Sequence, residues 1–151
     1  VGDSWTTEKF ALEGQDLCCN EADPQWIVVA SLLHGHLLSF NASCLRCGPR
    51  HVLKLSTNSA LHVRSYRSRG SHWALVSTGF ASQQQPRRNI AGAVLAVSVD
   101  ASTGRLSEVA SVTDHDGVPS SAEGVLVEGD YAYVGGCSDT KLVQIELTGL
   151  S

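Results

Sequence analysis

The 151-residue chain is the size of one ordinary domain, with a formal net charge of −4, 17% charged residues and 14 glycines. Frequent glycine beside sparse charge suits a turn-rich β protein, and no apolar run reaches the roughly 18 residues that a membrane span needs. The chain contains no Met, so we expect a processed product, organellar or secreted, or a fragment of a longer chain.

The charge is segregated. Residues 1–23 carry six acids and one Lys, residues 24–99 eight basic residues and no acid, and residues 100–151 nine acids and two basic residues. Either the two ends neutralise the centre within one fold, or the centre is a basic face that steers an acidic partner. Nucleic acid is the weaker reading of that face, because no aromatic-rich recognition motif accompanies the arginines.

In chain order, residues 1–25 are the least patterned. Trp5 and Phe10-Ala11-Leu12 read either as a first strand or as a strand that completes the last repeat. Asp23-Pro24 is a turn before the strand that opens at Trp26. The stretch from Trp26 to Leu38 is interrupted by Ser31, His34, Gly35 and His36, so it reads as two buried strands joined by a hairpin at Gly35. Cys44–Pro49 reads as a loop, followed by an outer strand at Val52, Leu53 and Leu55. A second unit opens at Ala60–Val63, where Leu61 and Val63 alternate with His62 and Arg64. Ser65–His72 is expected to be a polar loop. Trp73–Thr78 is a strand, Ala81–Asn89 a polar insertion, Gly92–Val99 a third strand and Leu106–Val112 a fourth. Thr113–Ser121 crosses to a last unit, with strands at Val125–Val127, Tyr131–Val134 and Leu142–Leu147 punctuated by Glu128-Gly129-Asp130 and Gly135-Gly136.

These units repeat. Trp26–Ser31, Trp73–Thr78 and Tyr131–Gly136 each begin with an aromatic and continue with small and β-branched residues. The following strands start at Leu37, Val94 and Leu142, spacings of 57 and 48 residues. Short antiparallel strands, about four to a unit and recurring every 40–50 residues, predict an all-β fold of β-propeller-type blades. Blade one spans about residues 10–57, blade two about 58–113, and blade three about 120–151, lacking its last strand. Three blades do not close the usual ring, so a partial or open propeller is expected.

Two stretches resemble known families. Gly129–Gly136 (GDYAYVGG) followed by Leu142–Leu147 (LVQIEL) resembles the LVIVD-type propeller repeat. Ser98–Leu106 resembles the strand–turn–strand of lactonase-type seven-bladed propellers. Together they lie between about Gly92 and Leu147. Both imply propeller blades, and neither carries a catalytic residue onto this sequence.

Candidate chemistry is thin. Cys44 and Cys47 have the spacing of half a zinc site or of a redox pair, but no second such pair exists. With Cys18 and Cys19 they supply either disulfides, in an oxidising compartment, or a metal site; the bland alternative is free thiols. Asn41-Ala42-Ser43 fits a glycosylation sequon at the end of a strand. Asp114, His115 and Asp116 could bind a divalent cation in the crossing between blades, or Asp116-Gly117 could simply form a turn. His34 and His36 flank a hairpin glycine. No cofactor other than such a metal is implied, and no nucleophile elbow or phosphate loop occurs. The expected function is therefore a non-catalytic scaffold, a subunit of a larger assembly. Arg64, Arg67, Arg69, Arg87 and Arg88 would meet an acidic protein surface, or further propeller blades would cover the open ends. The alternative is a lactonase-like propeller enzyme acting on a small sugar lactone.

Overall fold

The structure, a computed structural model, describes residues 12–18, 25–31, 35–57, 59–78, 92–113, 116–118, 122–136 and 141–150; for residues 12–18 and Glu123 only the backbone is described. Among the described residues eleven strands form three antiparallel meanders. Sheet A consists of β1 (Leu12–Cys18), β2 (Trp26–Ser31), β3 (His36–Asn41) and β4 (Pro49–Lys54), in that order. Sheet B runs β5 (His62–Ser68), β6 (Ser71–Thr78), β7 (Ala93–Val99) and β8 (Leu106–Thr113). Sheet C has β9 (Ala122–Glu128), β10 (Tyr131–Gly136) and β11 (Leu142–Glu146). A 3-10 turn at Leu45–Cys47 lies between β3 and β4.

The three aromatic-led segments take the same place, second in each sheet. Each pairs antiparallel with the strand after it: Val28 faces Ser39, Val76 faces Leu95, and Val134 faces Val143. The sheets stack as blades do, with β1 beside β5 and β5 beside β9. This is an all-β, propeller-type architecture of three blades in an open arrangement.

Side chains alternate across each sheet, so every strand presents two faces. Sheet A turns Trp26, Val28, Ala30 and Leu37 onto sheet B, which answers with Val63, Val76, Leu95 and Val97. From its other face sheet B turns Tyr66, Trp73, Leu75 and Val94 onto Val125, Ala132 and Val134 of sheet C. Sheet B is apolar on both faces because it is covered on both, which is why β6 and β7 read as nearly continuous hydrophobic runs. Of the expected core residues, Val28, Leu38, Val76, Leu95, Val97 and Val134 are buried. Val143 and Ile145 are half-buried, because β11 pairs on one side only.

Two expectations need correction. Ser65–His72 is not a loop: it is the end of β5, a two-residue turn at Arg69-Gly70, and the start of β6. Both turn residues have positive φ (47° and 84°), as the primed hairpin turns require. Cys44–Pro49 contains the 3-10 turn, and Pro49 already belongs to β4, at the edge of its sheet, where a missing N–H is tolerated. The insertion at Ala81–Asn89 and the candidate strand at Trp5 and Phe10-Ala11 lie outside the described residues. The first strand runs Leu12–Cys18 and pairs with β2.

Candidate functional site

The polar chemistry of this chain is concentrated where one blade meets the next. At the seam between sheets A and B, the turn from Asp100 to Arg105 between β7 and β8 reaches across to β2 and β3. The Trp26 indole N–H donates to the Ala101 carbonyl at 2.8 Å. The buried Ser39 hydroxyl donates to the Gly104 carbonyl at 2.6 Å. The turn holds its own shape: Asp100 Oδ1 accepts from the Ser102 N–H at 2.8 Å, the Ser102 hydroxyl at 2.6 Å and the Thr103 N–H at 3.1 Å. These bonds, led by the Ser102 hydroxyl, hold the Asp100 carboxyl below its ordinary value. Further along the seam, the Leu106 N–H donates to His51 Nδ1 at 3.1 Å. The Glu108 carboxylate accepts from the Ser56 N–H at 2.9 Å and from its hydroxyl at 2.5 Å.

The seam between sheets B and C uses the face of β5 that carries Arg64 and Tyr66. Arg64 Nε–H donates to the Val125 carbonyl of β9 at 3.2 Å, and the Tyr66 hydroxyl donates to Asp130 Oδ1 at 3.1 Å. Burial raises the Tyr66 pKa, and the Asp130 bond adds to it. Trp73, which takes the place of Trp26 one blade on, is buried, and its indole N–H has no acceptor among the described residues.

Beyond sheet C no further sheet follows among the described residues. The face turned away from sheet B carries Leu126 and Glu128 of β9, Tyr131 and Tyr133 of β10, and Leu142, Gln144 and Glu146 of β11. Leu126 is 59% exposed and Leu142 72%. A shallow groove of about 480 Å³ runs over Gly124 and Gly135, where no side chain fills the surface, with Arg64 and Glu128 on its lining. Tyr131 is 40% exposed, against 5% for Trp26 and 6% for Trp73.

The residues singled out in the sequence are not brought into one site. Arg64 is committed to the seam. Arg67 is exposed on β5 opposite His72, and Arg69 is exposed at the hairpin turn. Burial lowers the His72 pKa, and the Arg67 charge lowers it further. Arg87 and Arg88 lie outside the described residues, as do His34, Asp114 and His115. Asp116 is exposed and accepts from the Thr113 N–H at 2.9 Å and its hydroxyl at 3.3 Å, the bonding of a turn. Cys44 and Cys47 are joined as a disulfide with Cα atoms 5.4 Å apart; the Cys18 side chain and all of Cys19 are not described. Asn41 uses its Oδ1 to accept from the Ser43 N–H at 2.8 Å. Among the described residues no group of three or more His, Cys, Asp or Glu converges to hold a metal ion. No helix among them is long and apolar enough to cross a membrane. The seam bonds themselves went unread in the sequence; the signal was the aromatic that opens each second strand.

No family model and no curated protein matches the sequence. Among solved structures, the chain is similar to the β-propeller domain of Cps50 (Swd1) from Myceliophteria thermophila. The TM-score is 0.57 and the identity 11%, over 89% of this chain and 37% of that one. At that identity the likeness is one of fold. The chain spans just over a third of the length of that propeller domain.

Proposed function

We propose that the chain is a non-catalytic scaffold: three blades, resembling LVIVD-type repeats, that present interaction surfaces within a larger assembly. The observation that carries this reading is Tyr131. It occupies the position that Trp26 and Trp73 hold in the other blades, yet it lies open where they are covered by the next sheet. Exposed Leu126, Tyr131 and Leu142 among the polar Glu128, Gln144 and Glu146 suit a protein partner on this face. The propeller-domain neighbour, of which the chain matches only part, supports a role in which further blades or a protein partner complete the surface.

In the same reading Arg67 and Arg69, with Arg87 and Arg88, meet acidic groups on the partner through charge-assisted bonds. The lactone-hydrolysing alternative would draw on Asp114, His115 and Asp116. Asp116 is already engaged by Thr113, and no observation favours that reading.

The test is a paired substitution on the open face, Leu126→Glu with Leu142→Glu, in protein isolated with its native companions. Sedimentation velocity should show the assembly lost while the melting temperature of the chain itself stays close to wild type. A variant that still assembles as wild type does would sink the proposal.

A further inference from the structure

The Cys44–Cys47 pair plays no part in the scaffold reading, and its placement suits chemistry better than reinforcement. The disulfide closes a loop with only two residues between its ends, and so short a closure removes little freedom from the unfolded chain. The loop also holds itself without the sulfurs. The Cys44 N–H donates to the Asn41 carbonyl at 3.0 Å, the Cys47 N–H to the Cys44 carbonyl at 3.1 Å, and the Gly48 N–H to the Leu45 carbonyl at 3.2 Å. No residue of the 3-10 turn is buried; Cys47 is exposed and Cys44 half-exposed. The pairing of β3 with β4 likewise rests on backbone contacts that do not involve the sulfurs.

Beside the disulfide lies a groove of about 700 Å³ at the seam, lined by both cysteines, Asn41, Arg50, Ser102 and Thr103 among others. Its described lining contains one cation, Arg50, and no carboxylate. Arg46 adds a second exposed cation between the cysteines. Cationic neighbours favour a thiolate, both an incoming one and the one released.

We propose that Cys44–Cys47 is a thiol–disulfide exchange site for a small acidic thiol of the glutathione type, bound in this groove through Arg50 and steered to it by the exposed Arg46 between the cysteines. The thiolate of such a molecule attacks Sγ of the more exposed Cys47. A new S–S bond forms as the Cys44–Cys47 bond breaks, and the electron pair leaves on Cys44 as a thiolate. A second thiolate attacks the small-molecule sulfur of the mixed disulfide, releasing Cys47 as a thiolate and the small disulfide as product. Two small thiols are oxidised, the protein disulfide gains two electrons, and the two thiol protons end on Cys44 and Cys47.

The experiment uses the full chain in buffers of reduced and oxidised glutathione, followed by alkylation and mass spectrometry of the peptide bearing both cysteines, with circular dichroism as the check on fold. The pair should follow the glutathione ratio with the β-signal unchanged, and Cys44→Ser should trap glutathione on Cys47. Arg46→Gln with Arg50→Gln should slow exchange with glutathione by roughly fivefold at low salt, leave the rate with neutral β-mercaptoethanol unchanged, and lose its effect at high salt. Two results would overturn the proposal: a pair that stays closed until the chain is denatured, or arginine variants that react with both thiols as wild type does.

Discussion

Trp26 lies so close over Gly104 that a β-carbon on the glycine would come within 2.6 Å of the indole ring. The contact joins two blades: the ring belongs to the second strand of one sheet, and the glycine to the hairpin between the third and fourth strands of the next. Gly104 meets two demands, since its φ of 73° also lies in the left-handed region.

Gly104→Ala should therefore cost about 2–4 kcal/mol, from the left-handed backbone and from overpacking against the ring. Urea denaturation measures the loss, and Trp fluorescence should shift as the ring is displaced. A cost below about 1 kcal/mol would mean that the seam is not packed as described.

Equivalent positions should differ in energy. Trp73→Ala removes a buried ring and should cost about 3–5 kcal/mol, whereas Tyr131→Ala in the isolated chain should stay within about 1 kcal/mol of wild type. Val134, fully buried between sheets B and C, should lose about 1–3 kcal/mol on truncation to Ala. Equal losses at Trp73 and Tyr131 would contradict an open face on sheet C.

The Asp100 turn should make the fold acid-sensitive. Its carboxyl is held below the ordinary value of 3.8 by the Ser102 and Thr103 bonds. The stabilisation is thus complete above that value and is lost as pH falls through the lower folded-state pKa. Thermal melts of wild type and Asp100→Asn should converge in acid and be fully separated by about pH 4; parallel curves across the range would remove the turn's role.

His72 should titrate below its ordinary 6.5, because burial and the facing Arg67 charge both favour the neutral ring. Its contribution to stability is complete above 6.5 and declines as pH drops from there toward the folded value. In an NMR titration, Arg67→Gln should raise the His72 pKa part of the way back, leaving the larger effect of burial. A full return to 6.5 would make charge, not burial, the main cause.

Replacing Arg67, Arg69, Arg87 and Arg88 with Ser separates the two readings of the basic centre. A partner interface predicts lost assembly at an unchanged melting temperature. Neutralisation within the chain predicts a lowered melting temperature with assembly intact. Calorimetry beside sedimentation on one sample distinguishes them.

The repeat was legible because Trp26, Trp73 and Tyr131 open strands whose neighbours in the sheet share a pattern, and hydrophobic spacing follows sheet pairing directly. The β5–β6 hairpin was not legible. Its strand has Val63 facing sheet A while Arg64 and Tyr66 face sheet C, where both find bonds across the seam. Arg64 shows the difficulty best. In the sequence it is one of a cluster of arginines, and only the placement of β9 reveals a carbonyl waiting for it. The half-exposure of Val143 and Ile145 was hidden for the opposite reason. Their pattern is that of a core strand, but a sheet edge is a property of what pairs beside it.

The bond from Trp26 to Ala101 spans 75 positions of the chain. At a synthesis rate of about 5–20 residues per second, the ring waits roughly 4–15 s for its acceptor to be made. Sheet A is born before the hairpin of sheet B that seals it, so the growing chain carries Trp26 as an unsealed aromatic over that interval. A chaperone that binds exposed aromatic and aliphatic surface would find its target there until residue 101 is made.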